Sequence, residues 1–341
     1  MSDQDRITAR ASGEATPTAR LSAADYVAAA QRANTRRSYA AGVRHFEETW
    51  GGVLPASPQQ VADYLAAHAQ SLALNTLRSR LAALARWHAE LGFADPTRSE
   101  LVRQTLKGIQ ALHPAQEKRA APLQLTEVAK VAVWLQERIA AAEAQKDRSA
   151  ALRFRRDFAL LLLGFWRGFR VDELVHVRIE HLTVIPGEGM TLFMPRTKGD
   201  RPLAGITYRL PALSRWCPVS AVLVWLEAAD LHEGPVFRRI GRWGHVGAHG
   251  LHSNSVVPLL RRLFTEAGLT QPEAYSGHSL RRGFAGWANR NGWDVKALME
   301  YVGWKDVHSA MRYVDASDAF GRDRIESALA RLPDVSLIGQ G

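Results

Sequence analysis

The sequence predicts a mainly α protein: an all-helical N-terminal domain, then a C-terminal domain of mixed α structure with a small antiparallel β-sheet. Three observations carry this. Apolar residues recur at helical spacing between capping residues through most of the chain, one short region alternates as strands do, and a polar stretch with two prolines at 113–122 separates two helical series. The predicted organisation is a disordered tail at 1–21, a helical domain at 22–113, a linker at 114–122 and a second domain at 123–341.

In the first domain, Ser57-Pro58-Gln59-Gln60 combines an N-cap serine, proline at the first helical position and glutamine at the third, which is a capping box. Thr97 with Glu100 offers the same device. Asn75 is placed to cap a helix in which Leu77, Leu81, Leu84, His88 and Leu91 step by four and three, with Gly92 as its stop. Tyr39, Val43, Phe46 and Trp50 form an earlier stripe. Off these stripes lie Arg36, Arg37 and Arg44 on the earlier helix and Arg78, Arg80 and Arg86 on the later one. They are candidate DNA-phosphate contacts, with a solvated helix face as the alternative meaning.

The second domain opens with helical runs near 126–145 and 150–168. Two β-like segments, 190–195 and 203–210, then flank Thr197-Lys198-Gly199-Asp200, predicting a hairpin with Lys198 at its tip. Helices follow to about residue 331.

At 341 residues and 46% apolar composition, the chain is long enough for two domains with real cores. A net charge of +10 and a pI near 10.1, with both halves positive, point to a polyanionic partner. No run approaches the roughly 18 apolar residues that span a bilayer, so membrane loses ground to nucleic acid. Cys217 is the only cysteine, which excludes an intramolecular disulfide and a multi-cysteine zinc site. With no secretory leader in the first 20 residues, a cytoplasmic location is expected. His245, His249 and His252 have spacings that suit a metal, but the neighbouring glycines argue for an exposed loop, and no metal or cofactor is expected.

Five segments of the second domain offer groups suited to a phosphodiester. Arg170 and Glu173 follow an apolar helix and can share one face. Lys198 sits on the hairpin. His278 and Arg281 are three residues apart at a helix start, and Gly303-Trp304 precedes Tyr313 by nine residues from the tryptophan. Singly, each has a commonplace structural meaning, and Tyr275 and Tyr301 compete with Tyr313. Chemically the set is apt: arginines fork two donors onto a phosphate and stay ionised, histidine and the indole N–H donate further bonds, and a tyrosine can be the nucleophile.

In order and spacing, Arg170, Lys198, His278-x-x-Arg281, Trp304 and Tyr313 resemble the catalytic signature of the tyrosine recombinase (phage integrase) family. The fragments RTK around Lys198 and SGHS before Arg281 carry the same resemblance. Many members have a second histidine where this chain has Trp304. The resemblance implies a core-binding first domain and a catalytic second domain that close around double-stranded DNA carrying an inverted-repeat site, as a homotetramer. It implies that Tyr313 attacks the scissile phosphate to leave a 3′-phosphotyrosyl bond, that Lys198 protonates the departing 5′-oxygen, and that Glu173 braces the arginine and histidine. Neither ATP nor metal is then required, and the sequence has no Walker-type loop. The segment 318–332, with Phe320, Ile325, Leu329 and Leu332, is either a tail helix docking into a neighbour or one folded back on its own domain. Two other readings stay open: a catalytically silent DNA-binding protein of this fold, and a topoisomerase or resolvase using the same chemistry.

Overall fold

The computed structural model describes residues 22, 23, 26, 33–114, 120–195 and 204–311. The fold is mainly α, with two small antiparallel sheets among the described residues. The chain divides into two units, Met1–Lys118 and Arg119–Gly341. Among the described residues, no helix is long and apolar enough to cross a membrane.

In the first unit, α1 (Ala33–Arg44) runs into one π-helical turn (His45–Thr49), followed by α2 (Pro58–Ala67), α3 (Leu74–Glu90) and α4 (Glu100–Leu112). α1 packs along α3 and α2 along α4, enclosing Phe46, Tyr64, Leu65, Leu77, Leu84 and Val102. The Ser57 capping box forms as read: Ser57 Oγ accepts the Gln60 N–H at 3.2 Å and Gln60 Oε1 accepts the Ser57 N–H at 2.9 Å. His88, on the apolar stripe, is buried because both ring nitrogens are used, against Leu84 O at 2.8 Å and the Ala56 N–H at 3.0 Å.

The other two caps differ from expectation. α3 starts after Ala73, leaving Asn75 inside its first turn, where its side chain accepts from Arg78 at 3.4 Å. Ser99 caps α4 through the Val102 N–H. Thr97 is not available for that task, because its hydroxyl and N–H are both bonded to Asp95 Oδ1, at 2.7 and 3.0 Å.

The second unit is built on α6 (Arg148–Trp166), which is buried continuously from Ala159 to Phe165. A helix that is apolar all round is stable only when enclosed. α5 (Leu125–Ala144) lies before it in the chain; then come the short α7 (Val171–Val175), α8 (Pro218–Ala228), α9 (Ser253–Glu266), α10 (Ser279–Arg290), α11 (Val295–Val302) and α12 (Val307–Met311). α5, α8 and α10 pack against α6. Strands β1 (Leu182–Ile185), β2 (Gly189–Met194) and β3 (Ile206–Pro211) form one antiparallel sheet in sequence order, with Met190 opposite Leu210 and Leu192 opposite Tyr208. Met190, Leu192, Met194, Tyr208 and Leu210 face the core while Phe193 and Arg209 face out, the period-two pattern of a one-sided sheet. The turn that the sequence places at 197–200 lies outside the described residues.

β4 (Arg238–Ile240) and β5 (Val246–Gly250) form the second hairpin. The three histidines are exposed, as expected, but the run is a loop only in part: His245 lies in the β4–β5 turn, His249 is in β5, and His252 caps α9 by accepting the Asn254 N–H at 3.1 Å. Strand backbone tolerates the glycines that argued against a helix.

Residues at the start of the second unit are tied to α10 and the segment before it. Ala121 N–H donates to Ala274 O at 3.2 Å and Leu123 N–H to Ser279 O at 3.0 Å. A Cβ on Gly283 would lie 1.8 Å from Leu123 O, so α10 meets this segment backbone to backbone. Gly283→Ala is expected to lower the urea-unfolding stability of the protein by about 1–3 kcal/mol or more, through overpacking against a main chain that has nowhere to go. An alanine accepted without loss would show that the segment is not seated on α10.

Candidate active site

Three turns of the second unit converge on one carboxylate. α6 ends at Trp166, and the chain passes through Gly168 (φ +60°) to Arg170, whose extended backbone starts α7. Glu173 folds back over that start: its Oε2 accepts the Arg170 N–H at 2.9 Å and its Oε1 accepts Arg170 Nη1 at 2.6 Å. From α10, Arg281 brings Nη1 to 3.5 Å from Glu173 Oε2. Glu173 is 4% exposed and Arg281 1% exposed, so this ion pair is shielded from water and geometry governs its strength.

Arg281 is further held by main-chain carbonyls. Nη1 donates to Gly168 O at 2.8 Å and Nη2 to Val302 O at 3.3 Å. Val302 ends α11, and Gly303 turns the chain with φ +74°, a left-handed conformation that favours glycine. The next residue, Trp304, is buried, with its ring 5.0 Å from the Arg281 guanidinium carbon. One arginine thus locates both the Arg170 turn and the Trp304 corner.

His278 is exposed at the head of α10, where it precedes Arg281 by three residues on the same helix. Its N–H donates to Ser276 Oγ at 3.2 Å. Of the predicted catalytic residues, Arg170, Glu173, Arg281 and Trp304 are therefore in one cluster, with His278 on the helix that supplies Arg281. Lys198 and Tyr313 lie outside the described residues.

The two competing tyrosines are engaged elsewhere. Tyr275 Oη donates to Glu127 Oε1 at 2.6 Å, and burial together with that carboxylate pushes its phenol far above the ordinary tyrosine range. Tyr301 stacks on Phe284 with ring centroids 5.2 Å apart, and burial raises its phenol against the opposing pull of Arg167.

Sequence reasoning missed Arg167. It is 3% exposed, with its guanidinium carbon 4.2 Å from the Tyr208 ring centroid and 4.3 Å from that of Tyr301. The available signal was a charged residue interrupting the apolar run 158–169, three positions before Arg170.

Of the six arginines on the first unit, Arg36, Arg37, Arg44, Arg78 and Arg86 are exposed. Arg86 pairs with Glu90 at 2.6 Å and Arg78 donates to Gln110 Oε1 at 2.9 Å. Arg80 is partly buried and lies over Gly42 of α1. Among the described residues, no group of three or more histidine, cysteine, aspartate or glutamate side chains is placed to hold a metal ion.

Residues 141–319 match the phage integrase family. The chain is 30% identical over 296 residues to an integrase/recombinase XerD homolog from Selenomonas ruminantium, covering 84% of this chain and 83% of that protein. It is 26% identical over 302 residues to recombinase Cre of Escherichia phage P1, covering 83% and 82%. Among solved structures, its fold is similar to XerH site-specific recombinase bound to palindromic difH substrate in a post-cleavage complex. That match has a TM-score of 0.59 at 20% identity, over 86% of this chain and 79% of that one. The Tn1549 transposon integrase in complex with transposon right end DNA also gives 0.59, at 13% identity over 88% and 95%.

Removing the shared carboxylate leaves its two arginines without a counter-charge. Glu173→Ala is expected to cost about 3–5 kcal/mol in urea unfolding. A loss below about 1 kcal/mol would mean that the arginines are held by their carbonyl partners alone.

Proposed function

The chain belongs to the phage integrase family of tyrosine recombinases, and from that premise we propose that it recombines DNA by breaking and rejoining strands through a 3′-phosphotyrosyl intermediate. The observation that carries this reading is the Arg170–Glu173–Arg281 cluster beside Trp304. A buried carboxylate presents two guanidinium groups from different helices, and forked donors of this kind match the non-bridging oxygens of a phosphate.

In this reaction Tyr313 Oη attacks phosphorus, its proton is lost, and the bond to the 5′-oxygen breaks. Arg170 and Arg281 offset the negative charge that develops on the non-bridging oxygens. His278 and Trp304 donate further hydrogen bonds there, and Lys198 gives its proton to the departing 5′-oxygen. Glu173 touches no DNA in this scheme; it orients the arginines. A 5′-hydroxyl of the partner strand then attacks the phosphotyrosine in the reverse sense, so phosphodiester bond energy is conserved without ATP. The arginines take the charge-stabilising role that a metal ion has in many nucleases.

The substrate in this reading is double-stranded DNA with an inverted-repeat site, bound by four protomers. The exposed arginines of α1 and α3 are suited to contact its backbone phosphates.

Tyr313→Phe is expected to abolish the covalent protein–DNA adduct on a nicked suicide substrate, resolved on a denaturing gel, with DNA binding kept within a few-fold. Tyr275→Phe and Tyr301→Phe should still form it. An adduct surviving in Tyr313→Phe would reassign the nucleophile, and a wild-type protein that binds DNA without any adduct would be a silent binder.

Lys198→Ala should slow cleavage of ordinary DNA by about 10²–10⁴-fold, the usual contribution of a general acid. A bridging 5′-sulfur leaves as a thiolate, whose conjugate acid has a pKa of about 8.5 and needs little protonation. That substrate should restore most of the mutant's rate, whereas Arg170→Ala and Arg281→Ala should gain no comparable rescue. Equal slowness of Lys198→Ala on both substrates would remove the lysine from the general-acid role.

A further inference from the structure

Arg167 is a costly residue to bury for stability alone. Its side chain is 3% exposed, and neither Nε nor Nη1 has a hydrogen-bond acceptor. Its contacts are ring faces: Tyr208 from β3 at 4.2 Å and Tyr301 from α11 at 4.3 Å, with Phe169 at 6.0 Å. Cation–π attraction offsets part of the desolvation penalty, but an apolar side chain of similar volume would fill the same slot without one. Burial pulls the guanidinium down to about 10, so it remains a cation at neutral pH.

Its surroundings suggest where the charge is used. The residue after Arg167, Gly168, accepts Arg281 Nη1 at 2.8 Å, and a Cβ on Gly303, beside Trp304, would lie 3.1 Å from the Tyr208 ring, so Arg167 sits against the same turn and corner as the cluster, and its charge acts on Glu173 and on the Tyr208 phenol. Among the described residues, three guanidinium groups thus stand against one carboxylate. A phosphodiester carries one negative charge, and the state in which a tyrosine phenolate adds to it carries about two. Preorganised positive charge in a water-poor site favours the second over the first.

We propose that Arg167 is a supporting cation for strand cleavage: clamped between Tyr208 and Tyr301, it adds charge behind Arg170 and Arg281 without touching the DNA. It is a positioning residue, not a catalytic one, and its role rests on the reading of Arg170 and Arg281 as the phosphate clamp. Its action is electrostatic, so it stabilises the transition state more than bound DNA.

The test compares wild type, Arg167→Met and Arg167→Lys in single-turnover cleavage of a nicked suicide substrate at saturating protein, with DNA affinity and thermal unfolding measured alongside. Arg167→Met should melt no lower than wild type and bind DNA within about threefold, yet cleave roughly tenfold or more slowly, the order expected for one unit charge at several ångströms in a protein interior. Arg167→Lys should recover most of the rate. The charge-specific arm is Arg167→Gln, which keeps a polar side chain but no charge and should cleave as slowly as Arg167→Met. An Arg167→Lys that folds but cleaves as slowly as Arg167→Met, or an Arg167→Gln that folds and cleaves like wild type, would overturn the proposal and leave a packing role. If Arg167→Met fails to fold, Arg167→Lys and Arg167→Gln decide: near-wild-type cleavage by the lysine variant with a roughly tenfold loss in the glutamine variant supports the charge, and equal rates refute it. Wild-type protein that never cleaves would instead sink the clamp reading itself.

Discussion

The second unit is organised around the carboxylate of Glu173. It accepts the Arg170 main-chain and side-chain donors and stands 3.5 Å from Arg281. A carboxylate at that depth is tolerable only with cationic partners, and it in turn offsets part of the cost of burying Arg281. This mutual requirement couples helices that are far apart in sequence. Arg170 and Glu173 pair locally, but Arg281 is satisfied only when the turn after α6, the head of α10 and, through Val302 O, the end of α11 are all in place.

The scaffold makes that coupling stiff. α6 is enclosed along its second half, so the Arg167–Arg170 segment leaves a helix that has little room to shift. α10 packs on α6 and receives the 120–123 segment against its own backbone at Gly283. The two faces of the site are therefore supported by a buried helix and by main-chain contact, and side-chain adjustment alone cannot relax them. Catalytic geometry held to fractions of an ångström needs such support, because arginine side chains have many rotamers of their own.

The same tightness accounts for the roles of the tyrosines. Three of them are described in the second unit: Tyr208, Tyr275 and Tyr301. Tyr275 is bonded to Glu127, while Tyr208 and Tyr301 present their faces to Arg167. These phenols serve packing and electrostatics, and burial raises all three above the ordinary range. A nucleophile needs an oxygen free to reach phosphorus, and that of Tyr275 is committed to Glu127.

Much of this protein was legible in one dimension. Helical stripes, the Ser57 capping box and the β2–β3 hairpin depend on neighbours a few residues away, and local physics decides them. Arg170, His278, Arg281 and Trp304 were recognisable because their type, order and spacing resemble the family signature, with Glu173 read beside Arg170. Cap choice at Ser99 over Thr97 was not legible, since it turned on Asp95 capturing the threonine first. The strand at His249 was hidden because its partner, β4, is set by pairing and not by composition. Arg167 was the largest omission. A charge inside an apolar run reads as an interruption until β3 and α11, brought together only by folding, supply the two rings that hold it. Sequence alone determined which groups the protein has and roughly which helices carry them. Tertiary structure decided which are buried together, because desolvation and ion pairing act between residues more than a hundred positions apart.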